Sequence, residues 1–455
     1  MIIHKLNSKN VYMVIWFHLK FILLAVILSS LFYFSEIFAI NEKAEKLSFN
    51  GFLQIQNGYN NSFISDWNFS NIINITNNKL DSGYAQIAAG DNNVYLVWQE
   101  SVDDNSDENN YDIYFKKSLD NGSTFSKSIN LSNNIGFSEH PQIAVSKNGI
   151  FIVWADNTNS NNINILFSRS LDNGTTFSEP INLSNNSKNS NNQEISASDE
   201  NVYVVWQETD PTSSNNNKKT LSSIMFKSSS DSGKTFNNTK ELTNDTRDAY
   251  PKINSYFDYV YVVWNNENND GGLDDFKNNG LFFTRSYDNG NSFENINKIA
   301  HNNFGEAQIA VSKNEIFVVW GGLHSKNING IFFVKSDDNG TTFTDPHTIL
   351  ENVTKFKDQN YSNKINHPTN VETISNSHSN IVWQDVISKE NQDIFITNIE
   401  NNFQATKILN LSNNIGISEC PQIAASENYI YVVWEDFTPG NHEIFFTKGT
   451  GKENK

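Results

Sequence analysis

The run Val94-Tyr95-Leu96-Val97-Trp98 is the first of seven similar Val- and Ile-rich runs, each of which ends in a Trp. The seven tryptophans are Trp98, Trp154, Trp206, Trp264, Trp320, Trp383 and Trp434. The first and the last lie 336 positions apart, so the six intervals average 56 residues. Self-similarity at a near-constant period indicates a repeat architecture, in which each copy buries its apolar faces against its neighbours.

Each copy contains four short apolar runs separated by turn residues. In six copies an Ile precedes the Trp by 11 residues, which predicts a hairpin with a short turn of fixed length, such as Lys147-Asn148-Gly149. A third run such as Ile113-Tyr114-Phe115 and a fourth such as Ile129-Asn130-Leu131 follow the Trp, and none of the runs has a helical period. Four short strands per copy, repeated radially, predict an all-β fold, a seven-bladed β-propeller of four-stranded blades.

The two ends of the repeat predict how the ring closes. The seventh copy lacks a fourth run, whereas residues 68–78 precede the first copy and resemble the fourth-strand stretch 124–134. We therefore expect residues 70–76 to form an N-terminal strand that completes the last blade and covers an exposed strand edge. The predicted segments are a propeller at 66–448, a linker or outer strand at 40–65 and a tail at 449–455.

The first 39 residues resemble an export signal. Three lysines precede an apolar run at 21–34, which is shorter than the ~20 residues of a membrane-spanning helix and fits the ~7–15 residues of a signal-peptide core. Ala39 then offers a small residue before a cleavage position, so we predict a signal peptide at 1–39. The alternative is an uncleaved membrane anchor, because apolar residues extend from 11 to 40. Both predict that the remaining chain is secreted or lies at the cell surface.

Glycosylation is the modification that an exported chain of this sequence suggests. Asn-x-Ser/Thr sequons recur, for example at Asn74-Ile75-Thr76 and Asn130-Leu131-Ser132, and they fit a glycoprotein. The alternative is chance, since the chain is rich in Asn, Ser and Thr.

The composition excludes several classes of function. The 455 residues carry a formal net charge of −18, which argues against binding to nucleic acid, since phosphate contacts need clustered Lys and Arg. The one cysteine, Cys420, excludes an internal disulfide and a zinc site built from cysteines. We interpret Cys420 as a filler of its strand, and His140 and His442 as loop residues.

A second repeated motif lies between the third and fourth runs. In the first copy it reads Ser118-Leu119-Asp120-Asn121-Gly122-Ser123-Thr124-Phe125, and similar turns begin at Ser170, Ser229, Ser286 and Ser336. In such a turn the Asp accepts hydrogen bonds from backbone amides, the Asn-Gly pair supplies positive φ, and the Phe anchors the turn on the core. We interpret ten residues as structural: Asp120, Gly122, Asp172, Gly174, Asp231, Gly233, Asp288, Gly290, Asp338 and Gly340.

This pattern resembles the Asp box, the Ser-x-Asp-x-Gly-x-Thr-Phe repeat of the sialidase (BNR-repeat) superfamily, over nearly the whole exported chain. The resemblance implies a β-propeller in which the boxes are structural and lie on the face opposite the active site. It also implies that an active sialidase would hold its substrate carboxylate with three arginines and use a Tyr nucleophile paired with a Glu, with an Asp as general acid/base.

The arginines of this chain do not fit that set. Only Arg169, Arg247 and Arg285 are present, and Arg169 and Arg285 precede turn serines where other copies carry Lys. A position that accepts either cation is not a bidentate carboxylate clamp. We therefore predict a non-catalytic member of the superfamily. The alternative is a sialidase-like glycoside hydrolase, which needs only two carboxylates ~5–9.5 Å apart.

Two sets of acids are the candidate site residues. The long variable connections should share one face, here called the loop face, where recognition is expected. Its acids follow five of the seven tryptophans by two residues, namely Glu100, Asp156, Glu208, Asp385 and Asp436, whereas two copies carry Asn266 and Gly322 there. The second set opens the inner strands, at the mouth of the central channel, and holds the catalytic candidates Glu139, Asp248, Glu306 and Glu419. Converging carboxylates suit Ca²⁺, whereas the alternative is that each acid caps its strand or solvates a loop.

The sequence therefore predicts an exported binding or interaction module for glycans or cell-surface proteins, which requires no cofactor. Contact with a membrane is expected only through an uncleaved N-terminal segment. A third interpretation is a structural component of a surface layer.

Overall fold

The computed structural model describes residues 67–451 with several gaps. The gaps are 104–109, 159–161, 210–221, 247–249, 267–279, 302–303, 325–327, 352–367, 375–377, 389–390 and 400–404, together with positions 406 and 427. The predicted signal peptide, the linker and Asp248 therefore lie outside the described residues. Every regular element in the described part is a β-strand, and no helix there could cross a membrane.

Seven sheets of four or more strands make up the described chain, which confirms the predicted all-β propeller. Blade 1 contains β3 (Ser82–Gly90), β4 (Asn93–Ser101), β5 (Tyr111–Ser118) and β6 (Ile129–Asn130). Blade 2 contains β7 (Ser138–Ser146), β8 (Gly149–Asp156), β9 (Asn164–Ser170) and β10 (Ile181–Asn182). Blade 3 contains β11 (Asn189–Ser198), β12 (Asn201–Thr209), β13 (Ser222–Ser229) and β14 (Lys240–Thr246). Blade 4 contains β15 (Lys252–Tyr256), β16 (Tyr259–Asn266), β17 (Gly280–Ser286) and β18 (Asn297–Ala300).

The remaining three blades repeat this antiparallel order. Blade 5 contains β19 (Phe304–Ser312), β20 (Glu315–His324), β21 (Ile328–Ser336) and β22 (His347–Glu351). Blade 6 contains β23 (Pro368–Ile374), β24 (His378–Ser388), β25 (Asn391–Ile399) and β26 (Leu409–Asn410). Blade 7 contains β27 (Ser418–Ser426), β28 (Tyr429–Asp436) and β29 (Glu443–Gly451), and its outer edge is completed by β1 (Trp67–Phe69) and β2 (Ile73–Asn74). The first strand of every blade contacts that of the next, from β3 round to β27 and back, so these inner strands line the channel.

The N-terminal strand closes the ring as predicted. Trp67 pairs with Gly451 and Ile73 with Phe446, and the amide of Ile75 donates to the carbonyl of Ile444 at 2.7 Å. The sequence places the end of the propeller at Lys448, but β29 continues to Gly451 because its last residues pair with β1. Part of the predicted tail 449–455 is therefore strand.

The core lies between blades. Trp206, at 0% exposure, packs with Phe151 and Phe167 of blade 2, and each of the other repeat tryptophans is equally buried. The strand that ends in Trp is apolar on both faces because a neighbouring blade covers each face, as in β12, where Trp206 packs with blade 2 and Val205 with blade 4. This confirms that the tryptophans are core residues.

Five repeated turns, those that begin at Ser118, Ser170, Ser229, Ser286 and Ser336, hold neighbouring blades together. In the first, the Ser118 hydroxyl donates to Asp120 Oδ1 at 2.6 Å, and the amide of Thr124 donates to the same oxygen at 2.8 Å. Gly122 has a φ of +72°, and a Cβ there would lie 2.6 Å from the Phe446 ring of blade 7. The turn is therefore wedged against the preceding blade, and only glycine fits at this point.

Cations one residue before the turns bind the next turn along the ring. Lys117 Nζ donates to the carbonyl of Asn173 at 2.8 Å, and Lys448 Nζ donates to that of Asn121 at 3.1 Å. Arg169 Nη1 donates to the carbonyl of Ser232 at 2.6 Å, and Arg285 Nη1 donates to that of Asn339. These side chains bridge neighbouring blades on the turn side of the ring.

The turn carboxylates predict how stability changes in acid. Hydrogen bonds from Ser118 and then Thr124 lower the pKa of Asp120 to about 2, and the pKa values of Asp231 and Asp338 are also about 2. A lowered folded-state pKa stabilises the fold above the ordinary value of 3.8, and this stabilisation is lost as the pH falls through about 2. We expect the melting temperature to fall less steeply between pH 4 and pH 2 in D120N/D231N/D338N than in the wild type, measured by circular dichroism.

Asp91, which lies in the β3–β4 turn, provides the control. D91N should keep the wild-type slope. If the triple variant also kept it, the turn hydrogen bonds would not contribute in the way described.

Candidate functional site at the channel mouth

A β-bulge shapes the start of the inner strands. The pairing of β7 with β8 shifts between Glu139 and Gln142, and equivalent shifts occur in β3, β11, β19 and β27. The bulged residues Tyr84, His140, Asn192 and Cys420 have φ values of 51–52°. A bulge re-aims side chains, and here it does so at the loop-face mouth of the channel.

The residue after the repeat Trp holds the bulge of the next blade. Gln99 Oε1 accepts the amide of His140 at 2.9 Å, and Gln384 Oε1 accepts that of Cys420 at 2.6 Å. In blade 7 a carboxylate makes the equivalent hydrogen bond, since Glu435 Oε1 accepts the amide of Tyr84 at 2.6 Å. A neutral Gln suffices for this hydrogen bond, so the fold does not require the charge of Glu435.

Glu435 is the centre of a cluster of polar side chains between blades 7 and 1. It is 6% exposed, and its Oε2 lies 3.9 Å from Nδ1 of His442. One ligand atom from each of Glu419, Glu435 and His442 lies within 4.8 Å of the other two. Burial, together with the charge of Glu419, raises the pKa of Glu435 to about 7. Burial and then Glu435 raise the pKa of the adjacent Cys420 thiol.

Exposed aromatic rings border this cluster. Tyr84 is 46% exposed and meets the His140 ring edge to face at 4.2 Å between centroids. Phe437 is 43% exposed, and its ring centroid lies 4.9 Å from that of His442. Burial, followed by the charge of Glu435, raises the pKa of Tyr84. Aromatic faces, carboxylates and imidazoles therefore share one sector of the mouth.

A partly buried ion pair joins the inner strands of blades 3 and 4. Lys252 Nζ donates to Glu194 Oε1 and lies 4.0 Å from Glu306 Oε2. Burial alone lowers the pKa of Lys252, but the two carboxylates outweigh it and the pKa is raised. Lys252 is therefore neutralised by acids of this chain.

The predicted inner-strand acids occupy different positions. Glu139 and Glu419 are equivalent, since they face Ala155 and Glu435 across their hairpins. Glu306 lies within the bulge of β19, at the position that His140 takes in blade 2. Asp248 lies outside the described residues. The structure thus joins Glu419 to the cluster at Glu435, whereas Glu306 lies near Lys252.

The acids that follow the tryptophans are mostly buried supports of the loop face. Asp436 is 1% exposed, and its Oδ2 accepts hydrogen bonds from Trp434 Nε1 at 3.1 Å, Asn414 Nδ2 at 2.7 Å and Ser418 Oγ at 2.8 Å. Glu100, Asp156 and Glu208 are also buried and accept the Nε1 hydrogen of their own tryptophans. Asp385 is half-buried, and its carboxylate accepts the amide of Val386 at 2.8 Å. Four of the five carboxylates therefore stabilise the fold through hydrogen bonds to their own tryptophans.

Glu435, Tyr84 and Phe437 are site residues that the repeat pattern did not predict. Alignment of the seven copies could have identified Glu435, because it occupies the position of Gln99, Gln207 and Gln384 in other blades. His442 was interpreted as an isolated loop residue, but the β28–β29 hairpin brings it to Glu435. The two described arginines, Arg169 and Arg285, lie on the turn side, so neither contributes a clamp at this mouth.

Comparisons with known proteins give similarity of fold at low sequence identity. No family model and no curated protein matches the chain. A protein of unknown function from Dyadobacter fermentans is 14% identical, with a TM-score of 0.49 over 86% of this chain and 100% of that one. A Trypanosoma rangeli sialidase is 12% identical, with a TM-score of 0.46 over 81% of this chain and 55% of that one.

An ulvan lyase bound to an oligosaccharide is 12% identical, with a TM-score of 0.47 over 70% of this chain and 79% of that one. The chain spans only about half the length of the T. rangeli sialidase it matches. These likenesses carry no argument about activity. The chain is a seven-bladed β-propeller by its own strand topology.

Proposed function

We propose that this protein is an extracytoplasmic propeller of the Asp-box type that binds glycans at the channel mouth between blades 7, 1 and 2, without catalysis. The observation that carries the proposal is the sector in which exposed Tyr84 and Phe437 flank Glu419, Glu435, His140 and His442. Sugar-binding sites need flat apolar surfaces for the ring and a few fixed polar groups for the hydroxyls. Both are present here.

The charge of the sector favours one class of glycan. Glu139, Glu419 and Glu435 all act on Tyr84, and the described arginines lie on the other side of the ring. A mouth lined by carboxylates repels anionic ligands. In the absence of a bound cation, we therefore expect neutral oligosaccharides or amino sugars to bind, and sialosides and uronic-acid oligosaccharides to bind more weakly.

An array that carries neutral, amino-sugar, uronic-acid and sialic-acid oligosaccharides tests the proposal. We expect binding to neutral or amino-sugar spots and a loss on the order of 10-fold or more in Y84A/F437A, because the stacking surface is removed. Phe257 is 61% exposed in the β15–β16 turn on the opposite face, so F257A is the matched control and should bind like the wild type. Equal loss in both variants, or preference for sialosides, would refute the assignment.

Hydrolysis is the second candidate, and one distance favours it. Oxygens of Glu419 and Glu435 lie within 4.8 Å of each other, close to the ~5–5.5 Å separation of the carboxyl groups in retaining glycosidases. If the protein released reducing sugar from the oligosaccharides that bind, and if E419Q abolished this release, the protein would be an enzyme and not a binding module. Binding without release supports the module.

A further inference from the structure

Comparison of the seven blades shows where this chain departs from its own scaffold. At the position after the repeat Trp, blades 1, 3 and 6 carry Gln, and blade 7 carries Glu435. At the position of Glu419, blade 1 has Gly83 and blade 3 has Asn191. The backbone repeats in these blades without acids, so folding does not explain why blade 7 combines two carboxylates with a histidine.

We infer that Glu419, Glu435 and His442 bind one divalent metal ion of the zinc class. The three side chains come from β27, β28 and the hairpin that precedes β29, so backbone pairing fixes their relative positions. Blade 2 supplies the natural comparison, because it has the equivalent Glu139 next to His140 but Ala155 in place of Glu435. Blade 7 therefore presents two carboxylates that face each other directly across paired strands, whereas Glu139 of blade 2 faces an alanine.

The distances are compatible with a small ion after slight closure. A tetrahedral zinc ion with bonds of ~2.0–2.2 Å separates its ligand atoms by about 3.4 Å. The observed separation of His442 Nδ1 and Glu435 Oε2 is 3.9 Å, and the three ligand atoms lie within 4.8 Å of one another. The imidazole of His442 is 37% exposed, so it has room to move towards the two carboxylates.

The ligand types select the class of metal. An imidazole nitrogen favours zinc and its neighbours over Ca²⁺ and Mg²⁺, which prefer six or more oxygen ligands. Three protein ligands would leave a fourth position open, as in zinc sites that bind a ligand directly. At this cluster we therefore expect an ion of the zinc class and not the Ca²⁺ that the ring of acids suggested.

Equilibrium dialysis of the chelator-treated full chain against Zn²⁺, with Mn²⁺ and Ca²⁺ in parallel, tests the inference. We expect one zinc per chain, measured by elemental analysis, and affinity at least about 100-fold lower in E435Q. Gln fills this position in three other blades, so E435Q should fold, and H442N is a second variant in case it does not. E139Q, the equivalent substitution in blade 2, should bind zinc like the wild type.

Absence of stoichiometric zinc, unchanged affinity in E435Q and H442N, or preference for Ca²⁺ would overturn the inference. None of these readouts depends on glycan binding. The metal site can therefore stand if the array experiment fails, and it can fail if glycans bind.

Discussion

A chain that begins at Asp81 should lose its cooperative unfolding transition and aggregate. This truncation removes β1 and β2, which leaves β29 as an unpaired edge along its outer side. It also removes Ile75, which is 4% exposed in the core between blades 7 and 1, and Phe69, which packs with blade 7. Burial of these side chains stabilises the fold by on the order of 5 kcal/mol, comparable with the whole stability of many domains. Size-exclusion chromatography and thermal unfolding measure the effect.

A chain that begins at Ser65 is the matched control, since it keeps β1 and β2 and should stay soluble with a sharp transition. A synthetic peptide of residues 65–78, added to the shorter chain during refolding, should restore solubility by adding the missing strand. If the chain from Asp81 unfolded like the control, the N-terminal strand would not close the ring.

The second large effect is expected at Asp436. D436A removes the acceptor of two buried donors, Trp434 Nε1 and Ser418 Oγ, and of two partly buried donors, Asn414 Nδ2 and the Thr438 amide. Each buried donor left without a partner costs roughly 1–3 kcal/mol, so the two buried donors together cost on the order of 2–6 kcal/mol. We expect this loss in the free energy of unfolding, measured from guanidinium denaturation.

D436N provides the conservative comparison, because it keeps one acceptor oxygen and should lose less stability. E139A removes a partly exposed acid of blade 2 and should change the stability by less than about 1 kcal/mol. If D436A were as stable as the wild type, Asp436 would not support the scaffold, and the acids that follow the tryptophans would again be candidates for ligand binding.

Much of the fold could be predicted because the repeat reports strand spacing directly. The constant Ile-to-Trp distance predicted the first hairpin of each blade. The extra fourth-strand sequence at residues 70–76 predicted how the ring closes. Both predictions depend only on local sequence and on the number of copies. The exact end of β29 could not be predicted, because pairing of Gly449 and Gly451 with β1 depends on a contact between the chain ends.

The site was less accessible because similar residues serve different purposes. Asp436 and Glu435 are adjacent acids, yet Asp436 is enclosed by donors whereas Glu435 accepts one amide and faces Glu419 and His442. This difference arises from the pleat of β28 and the bulge of β27, which composition and spacing do not reveal. His442 required the β28–β29 hairpin to reach its neighbours.

A crystal structure with the strongest neutral or amino-sugar oligosaccharide from the array would test the assignment of the site most directly. We expect density for a sugar ring against Tyr84 or Phe437, with the sugar hydroxyls directed at the carboxylates between blades 7 and 1. Density on the turn side near Phe257, or along the outer strands, would contradict it.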